Sequence, residues 1–229
     1  MTTTATATAH LARLCINPRS REAMRDLRDA QAMHQRLMDF YPDVLRHGEQ
    51  ARSALGVLHR VERSQTDTTI LVQSVLAPDT SRLPDDYLTR PADTRDLTPV
   101  LDWVADGRTL RYRIDVAPTR SVLNEERYPE GHPRSGQRRR GRRVPISGEP
   151  AIAWWERQAQ RAGLDVQLVI DTPQTPAIGY RDTGRLQHSL TRFEGIATVT
   201  DTTALRTALL GGIGQGRAYG AGLLSIAPA

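Results

Sequence analysis

The order of hydrophobic and polar positions predicts a mixed α/β chain. In the first half, aliphatic and β-branched residues alternate with polar ones, which is typical of half-buried strands. One helix is predicted among them, because Met33, Leu37 and Phe40 recur at helical spacing after the N-cap residue Asp29 and before Pro42. The predicted strands are 10–16, 53–62, 68–76 and 109–116, with a hairpin turn at 63–67 and a proline-rich irregular connection at 77–98.

The second half repeats this type of element order. Its predicted elements are a helix from about Pro150 to Gly163, strands at 166–170, 188–199 and 223–227, a loop at 172–184 and a helix at 202–210. Two successive β-α-β arrangements predict an α+β fold of two tandem ferredoxin-like (RRM-like) domains. We expect an N-terminal domain at 1–120, a basic mobile segment at 121–144 and a C-terminal domain at 145–229.

A glycine-rich stretch, GGIGQGRAYGAG at 211–222, directly precedes the last predicted strand. Gly214 and Gly216 stand beside Arg217, and glycine backbone with a guanidinium is suited to binding a phosphate. The spacing excludes a Walker A loop and a dinucleotide-binding fingerprint. Two interpretations stay open: a phosphate cradle, or a tight helix-to-strand connection.

Charge and cysteine content narrow the choice of partners. The 229 residues include 31 basic and 26 acidic side chains, net +5, and every one of the basic residues is arginine. Because a guanidinium binds phosphate in two places and stacks on bases, we expect a polyanionic partner. Cys15 is the single cysteine, which excludes an internal disulfide and a cysteine zinc cluster.

The sequence also disfavours a metal-binding protein, a cofactor-dependent enzyme and a membrane protein. The histidines lack a spacing suited to joint metal binding, so neither a metal nor a small-molecule cofactor is expected. We expect no membrane segment, since no apolar run approaches the ~18 to 20 residues of a membrane span. The N-terminal residues do not resemble a secretory signal, and we therefore expect a cytoplasmic protein.

Two arginine groups are candidates for RNA binding. The first lies in the basic segment and consists of Arg138, Arg139, Arg140, Arg142 and Arg143. Such a block is either mobile and solvated or an arm that becomes ordered on nucleic acid. The second group, Arg157 and Arg161, projects with Trp154 from the helix face opposite its apolar stripe. That face could grip a nucleic-acid strand, or Trp154 could pack against the other half of the protein.

His34 is the candidate catalytic residue. It falls at the edge of the apolar stripe of the first predicted helix, and therefore at a rim instead of in the core. An imidazole can act as general base or general acid near neutral pH. The alternative is a histidine at a helix edge that is hydrogen-bonded to a neighbour.

Three stretches together resemble one known family. GGIGQGRAYGAGLLSIAP resembles the glycine-rich motif of CRISPR-associated repeat-processing endoribonucleases, the CasE family of the type I-E Cascade complex. The N-terminal ARLCINPRSREAMRDLRDAQAMHQRLMDFYPD and the later GRRVPISGEPAIAWWERQAQRAGL are similar to the same family, in the same order. By this resemblance His34 matches the catalytic histidine. The sequence departs from the family at Gln31, where a tyrosine is frequent, and at Arg217, where lysine is usual.

The resemblance implies metal-independent cleavage of CRISPR repeat transcripts at the repeat stem-loop, giving mature crRNA. It also implies two ferredoxin-like domains and association with other Cascade subunits. The residues themselves are compatible with this chemistry, because RNA carries its own nucleophile in the 2′-hydroxyl, whose attack gives a 2′,3′-cyclic phosphate. The alternative is a non-catalytic RNA-binding subunit of a CRISPR ribonucleoprotein complex. A small-molecule phosphate enzyme is a more distant third.

Overall fold

The computed structural model describes residues 9–42, 55–124, 126–139, 141–181 and 184–229. Within these residues the strands are β1 (His10–Cys15), β2 (Leu58–Arg63), β3 (Thr68–Ser74), β4 (Asp93–Asp96), β5 (Thr109–Val116), β6 (Thr119–Val122), β7 (Arg142–Pro145), β8 (Leu164–Arg181), β9 (Gly184–Val199) and β10 (Ser225–Pro228). The helices are α1 (Arg21–Asp26), α2 (Ala30–Met38), α3 (Thr98–Trp103), α4 (Glu149–Arg161) and α5 (Thr202–Gly211), with short 3₁₀ helices at Thr80–Arg82 and Arg217–Tyr219.

The first sheet has the strand order β2-β3-β1-β4, which is the ferredoxin-like order, and all its pairs are antiparallel. Successive side chains along a strand point to opposite faces of this sheet: Ala12 and Leu14 of β1 are buried, whereas Arg13 between them is exposed. The buried face packs against α2 through Met33 and Leu37. The sheet therefore carries the helix that holds His34.

The second sheet has the order β10-β5-β9-β8 and the same ferredoxin-like arrangement. Trp155 of α4 is fully buried against it, stacks on Phe193 at 5.6 Å between ring centroids, and donates a hydrogen bond to the Tyr112 hydroxyl at 3.1 Å. The antiparallel hairpin β6-β7 is inserted between β5 and α4. The predicted pair of ferredoxin-like domains is thus confirmed.

The prediction that β5 belongs to the N-terminal half is wrong. Thr109–Val116 is a strand at the predicted residues, but it pairs with β9 and β10 and lies in the second sheet. Leu101 of α3 also packs into the second core. By sheet and core membership the second domain therefore begins near α3, and we propose this position in place of a boundary at 120.

The predicted loop at 172–184 is also wrong over most of its length. β8 continues through it to Arg181 and pairs with β9, with register irregularities at Val166/Leu168 and Gln174/Ala177. Pro173 and Pro176 are tolerated in this strand because, among the described residues, β8 lies at the edge of the second sheet.

Several short elements are absent from the predicted set, and the start of one predicted strand is misplaced. The helices α1 and α3 and the strands β6 and β7 lie at residues for which no helix or strand is predicted, and the strand β4 lies in the predicted connection at 77–98. All four residues of β4 are exposed, so that strand has no hydrophobic alternation from which it could be predicted. β2 begins at Leu58, whereas the predicted strand begins at residue 53; residues 53 and 54 lie outside the described ranges.

A cluster of charged residues joins the two domains; we call it the interdomain arginine–carboxylate cluster (Arg60, Glu62, Arg113, Asp115 and Arg192). Arg60 and Asp115 are buried, Glu62 and Arg192 are partly buried, and Arg113 is exposed. Arg60 of β2 donates to Glu62 at 2.7 Å within its own domain, and to the Leu223 and Arg113 carbonyls and the Ser225 hydroxyl across the interface at 2.9, 3.1 and 2.9 Å.

Arg192 of β9 completes this cluster. It pairs with Glu62 at 2.8 Å and with both carboxylate oxygens of Asp115 at 2.7 and 2.9 Å. Burial alone would raise the pKa of Glu62, but Arg60, Arg192 and Arg113 outweigh it and hold that pKa below its ordinary value. Burial lowers the pKa of the Arg60 guanidinium, against the attraction of Glu62 and Asp115. The cluster fixes one domain against the other.

Among the segments described above, the helices all fall short of the length and apolar character that a membrane span requires.

Candidate active site

The helix α2 holds His34 at the rim of the N-terminal domain. Asp29 caps the helix, since its carboxylate accepts from the backbone N–H groups of Gln31 at 2.8 Å and Ala32 at 3.3 Å. Met33 and Leu37 are buried, whereas His34 is only partly buried, as its position at the edge of the stripe predicts. An imidazole on this rim is accessible to a substrate.

The glycine-rich loop connects α5 to β10 and folds back on itself. The N–H of Ile213 donates to the Gly222 carbonyl at 3.0 Å, and the N–H of Gly222 donates to the Asp115 carbonyl at 2.7 Å. Gly222 has φ +90°, and a Cβ there would stand 2.8 Å from the Ile213 carbonyl oxygen. Only glycine fits this crossing without strain. The loop is therefore a tight helix-to-strand connection, as one of the two interpretations held.

Tyr219 brings this loop to the histidine helix. Its hydroxyl lies 3.2 Å from the Gln31 side-chain oxygen, one turn before His34 on α2. Its ring meets the His34 ring edge to face, with centroids 6.2 Å apart and an interplanar angle of 67°. The candidate catalytic residue and the glycine-rich loop, 185 residues apart from His34 to Tyr219 in the sequence, therefore form one site.

His188 of β9 is the second residue that the sequence analysis did not place here. It stacks on the Tyr219 ring, with centroids 5.4 Å apart and planes at 20°. A Cβ on Gly216, which has φ +75°, would lie 3.6 Å from the His188 ring. The sequence offered a signal for Tyr219, which is the single aromatic residue of the glycine-rich motif. It offered none for His188, whose position depends on the pairing of β8 with β9.

Arg217 lies at the exposed surface of the loop. One guanidinium nitrogen donates to the Gly211 carbonyl at 2.6 Å, near the end of α5. This bond anchors the side chain to the loop. Arg217 directly follows Gly216, whose backbone lies against the His188 ring.

Trp154 packs within its own domain, whereas one interpretation of the sequence placed it against the other half of the protein. It is partly buried against the second core, and a Cβ on Gly214 would stand 3.3 Å from the end of its ring. Arg157 and Arg161 follow three and seven residues later, on the same flank of α4, and both are exposed. The exposed flank of α4 thus begins at the glycine-rich loop.

The basic segment contains a hairpin. The base of the segment that was predicted to be mobile is therefore formed by two paired strands. Val122 pairs with Arg142 and Ser121 with Arg143, and an isolated bridge joins Arg127 to Arg138. The candidates Arg138, Arg139, Arg142 and Arg143 are all exposed, whereas Arg140 lies outside the described residues. Arg139 pairs with Glu126 at 2.9 Å. We call residues 119–145 the basic arm.

The β8-β9 hairpin reaches across to the N-terminus of α2. A Cβ on Gly179 would stand 3.0 Å from the Gln31 backbone nitrogen and 3.4 Å from an Asp29 carboxylate oxygen. The absence of a side chain at this position permits that close approach. His34 is therefore held from the second domain at two places, by Tyr219 through Gln31 and by the hairpin.

This arrangement is suited to proton transfer at a bound phosphodiester. Two imidazoles and one phenol lie together at the junction of the domains, and the exposed Arg217 belongs to the same loop as the phenol. The described part of the chain contains no group of three or more His, Cys, Asp or Glu side chains arranged to hold a metal ion.

Comparison with known proteins agrees with this geometry. "CRISPR-associated endoribonuclease Cse3" of Thermus thermophilus is 29% identical over 234 residues, which cover 95% of this chain and 99% of that protein. "CRISPR system Cascade subunit CasE" of Escherichia coli is 26% identical over 205 residues, or 88% of this chain and 93% of that protein.

A solved structure of Thermus thermophilus Cse3, bound to an RNA representing a pre-cleavage complex, superposes with a TM-score of 0.73. It is 27% identical and the match covers 96% of this chain and all of that one. The profile of the family described as "CRISPR associated protein" matches residues 9–228. Since that match spans both domains and the whole site between them, this chain belongs to the CRISPR-associated protein family.

Proposed function

We propose that this protein is an endoribonuclease that cleaves CRISPR repeat transcripts at the repeat stem-loop to give mature crRNA. The observation that carries the proposal is the contact of His34 with Tyr219 of the glycine-rich loop, which joins the two domains at one accessible imidazole. Its support from outside the chain is the full-length similarity to a protein named as an endoribonuclease and solved with RNA.

The reaction uses the substrate's own nucleophile. The 2′-oxygen attacks the adjacent phosphorus, the bond from phosphorus to the 5′-oxygen breaks, and a 2′,3′-cyclic phosphate and a 5′-hydroxyl result. His34 transfers one of the two protons that must move, a role worth about 10² to 10⁴ in rate. Charge that develops on the phosphorus oxygens is stabilised by Arg217 and by backbone N–H groups near Gly214 and Gly216.

RNA binding is assigned to two exposed basic surfaces. One is the basic arm, with Arg138, Arg139, Arg142 and Arg143, and with Arg140 in the part outside the described residues. The other is the flank of α4, with Arg157 and Arg161. A repeat stem-loop has two phosphate backbones, and dispersed guanidinium groups on two surfaces can contact both while the cut site lies at His34.

Partners and location follow from the same proposal. The Escherichia coli relative is named as a Cascade subunit, and we infer that this chain also associates with other Cascade subunits. A cytoplasmic location suits an enzyme that acts on newly made transcripts and carries one unpaired cysteine.

The test is cleavage of labelled repeat RNA in excess chelator, with end-group analysis of the products. We expect a single cut with a 2′,3′-cyclic phosphate, and no cut when the nucleotide before the scissile bond is 2′-deoxy. Cleavage that survives the deoxy substitution would indicate attack by water. A stable complex without any product would instead identify a non-catalytic RNA-binding subunit.

A further inference from the structure

We propose that His188 is a second catalytic residue, paired with His34, so that one imidazole accepts the proton of the 2′-hydroxyl while the other donates a proton to the departing 5′-oxygen. This inference rests on the proposed function. It goes beyond it by assigning the second proton transfer to a named side chain on the other domain.

His188 and His34 share one aromatic neighbour. The His188 and His34 rings both meet the Tyr219 ring, at 5.4 and 6.2 Å between centroids, which is the ordinary range of aromatic contact. Both imidazoles therefore contact the same phenol ring, His188 on its face and His34 edge to face. A phosphodiester bound beside this group of rings could present its 2′-oxygen to one imidazole and its 5′-oxygen to the other.

The surroundings of His188 leave room for a phosphate. Both histidines are only partly buried, and His188 lies against Gly216, next to the exposed Arg217. Gly216 has no side chain between the loop backbone and the imidazole, so a phosphate on the loop can approach the ring. His188 is therefore positioned on the substrate side of the loop.

A third histidine near the loop is a useful contrast. His59 of β2 lies 3.4 Å from the position of a Cβ on Gly220, but its side chain is 3% exposed. It lies beneath the loop and cannot reach a substrate. The titratable group that stacks on His188 is Tyr219 of the loop, while β8 places the apolar Ala177 opposite it.

The step is balanced with two imidazoles. The bond from the 2′-oxygen to phosphorus forms and the bond from phosphorus to the 5′-oxygen breaks. One neutral imidazole gains the proton of the 2′-hydroxyl, and one imidazolium loses a proton to the 5′-oxygen. Exchange with water restores both. An imidazole can act as acid or as base near neutral pH, so the two proton transfers can be divided between these two side chains.

The test compares two substrates with the full-length protein under single-turnover conditions. One is the natural repeat RNA; the other has sulfur in place of the 5′-oxygen at the scissile bond, and the thiolate leaves without a proton. His188→Ala should slow cleavage of the natural RNA by a factor of about 10² to 10⁴, which is the range for loss of a general acid or base. One of the two variants, His34→Ala or His188→Ala, lacks the general acid. On the sulfur substrate, the cleavage rate of that variant should lie within about tenfold of the wild-type rate, whereas the rate of the other variant should stay low.

Controls separate folding, positioning and the wider proposal. His188→Gln keeps a side chain of similar reach and should show the same defect, and His10→Ala on β1 should cleave both substrates at the wild-type rate. Wild-type cleavage of natural RNA by His188→Ala would overturn the inference. So would an equal loss on both substrates in both histidine variants, because that result marks a positioning role. If wild type yields no cyclic phosphate at all, the proposed function itself fails.

Discussion

Arg60 offers the sharpest test of how the two domains are held together. Its side chain is 2% exposed, and four hydrogen bonds of 2.7 to 3.1 Å satisfy its guanidinium. Three of those bonds cross to the second domain, at Arg113, Leu223 and Ser225. Arg60→Met removes the charge but retains much of the apolar stem, and it leaves two carbonyls and the Glu62 carboxylate without this donor.

The magnitude follows from that loss. Breaking a buried, hydrogen-bonded ion pair by removing one partner costs about 3 to 5 kcal/mol. For a chain of this size each kcal/mol lowers the melting temperature by about 2 to 4 °C, so we expect a fall of roughly 6 to 20 °C. Single-turnover cleavage should also fall at temperatures where the variant remains folded, because the cluster sets the position of Tyr219 relative to His34.

The assay is urea unfolding combined with thermal unfolding, followed by circular dichroism. The matched control is Arg95→Met on β4, whose side chain is 78% exposed and pairs with the exposed Asp93; exposed pairs of this kind contribute about 0 to 1 kcal/mol. A loss below about 1 kcal/mol for Arg60→Met, equal to that of the control, would refute the reasoning that this cluster holds the domains together.

Two further predictions concern charge. Because the pKa of Glu62 is lowered in the folded protein, its carboxylate stabilises the fold above the ordinary pKa of about 4.3, and that contribution is lost as the pH falls through the lower folded value. Glu62→Gln should therefore lower the melting temperature at pH 7 by more than at pH 3.5; a constant difference would contradict this. The double variant Arg142→Gln with Arg143→Gln should bind RNA more weakly. The slope of the logarithm of its binding constant against the logarithm of the salt concentration should become shallower by about 0.7 to 0.9 per lost phosphate contact. The pair Arg90→Gln with Arg95→Gln is the control, and an unchanged slope in the arm variant would mark those arginines as solvated.

Much of the fold could be predicted because the local signals agree with the tertiary structure. The Asp29 cap, the spacing of Met33 and Leu37, and the pattern of 109–116 locate α2 and β5 within one or two residues. The repeated element order indicates two ferredoxin-like domains, since each sheet has the corresponding strand order.

The failures have physical causes. Hydrophobic alternation shows that 109–116 is a strand but does not choose its partners, and partner choice placed β5 in the second sheet. Prolines indicate loops unless the strand has a free edge, which only the assembled sheet reveals. β4 has no buried residue at all, so no hydrophobic pattern marks it.

The site was predictable only in part. His34 and the glycine-rich loop were identified from their own residues and from the family resemblance. The contact between them depends on how the two domains pack, through Tyr219 and Gln31. His188 lies on a strand whose register with β8 brings it to the loop, and no pattern around residue 188 indicates that position. The roles of these residues in cleavage stay predictions.

The most direct test of the central claim is the single-turnover cleavage rate of His34→Ala on repeat RNA, measured together with its affinity for the uncleaved RNA. We predict that the rate falls by about 10² to 10⁴ or more while the dissociation constant changes less than about threefold, since His34 transfers a proton but contributes little to binding. His10→Ala should match wild type in both quantities. A rate within a few-fold of wild type in His34→Ala would contradict the account and remove His34 from the mechanism.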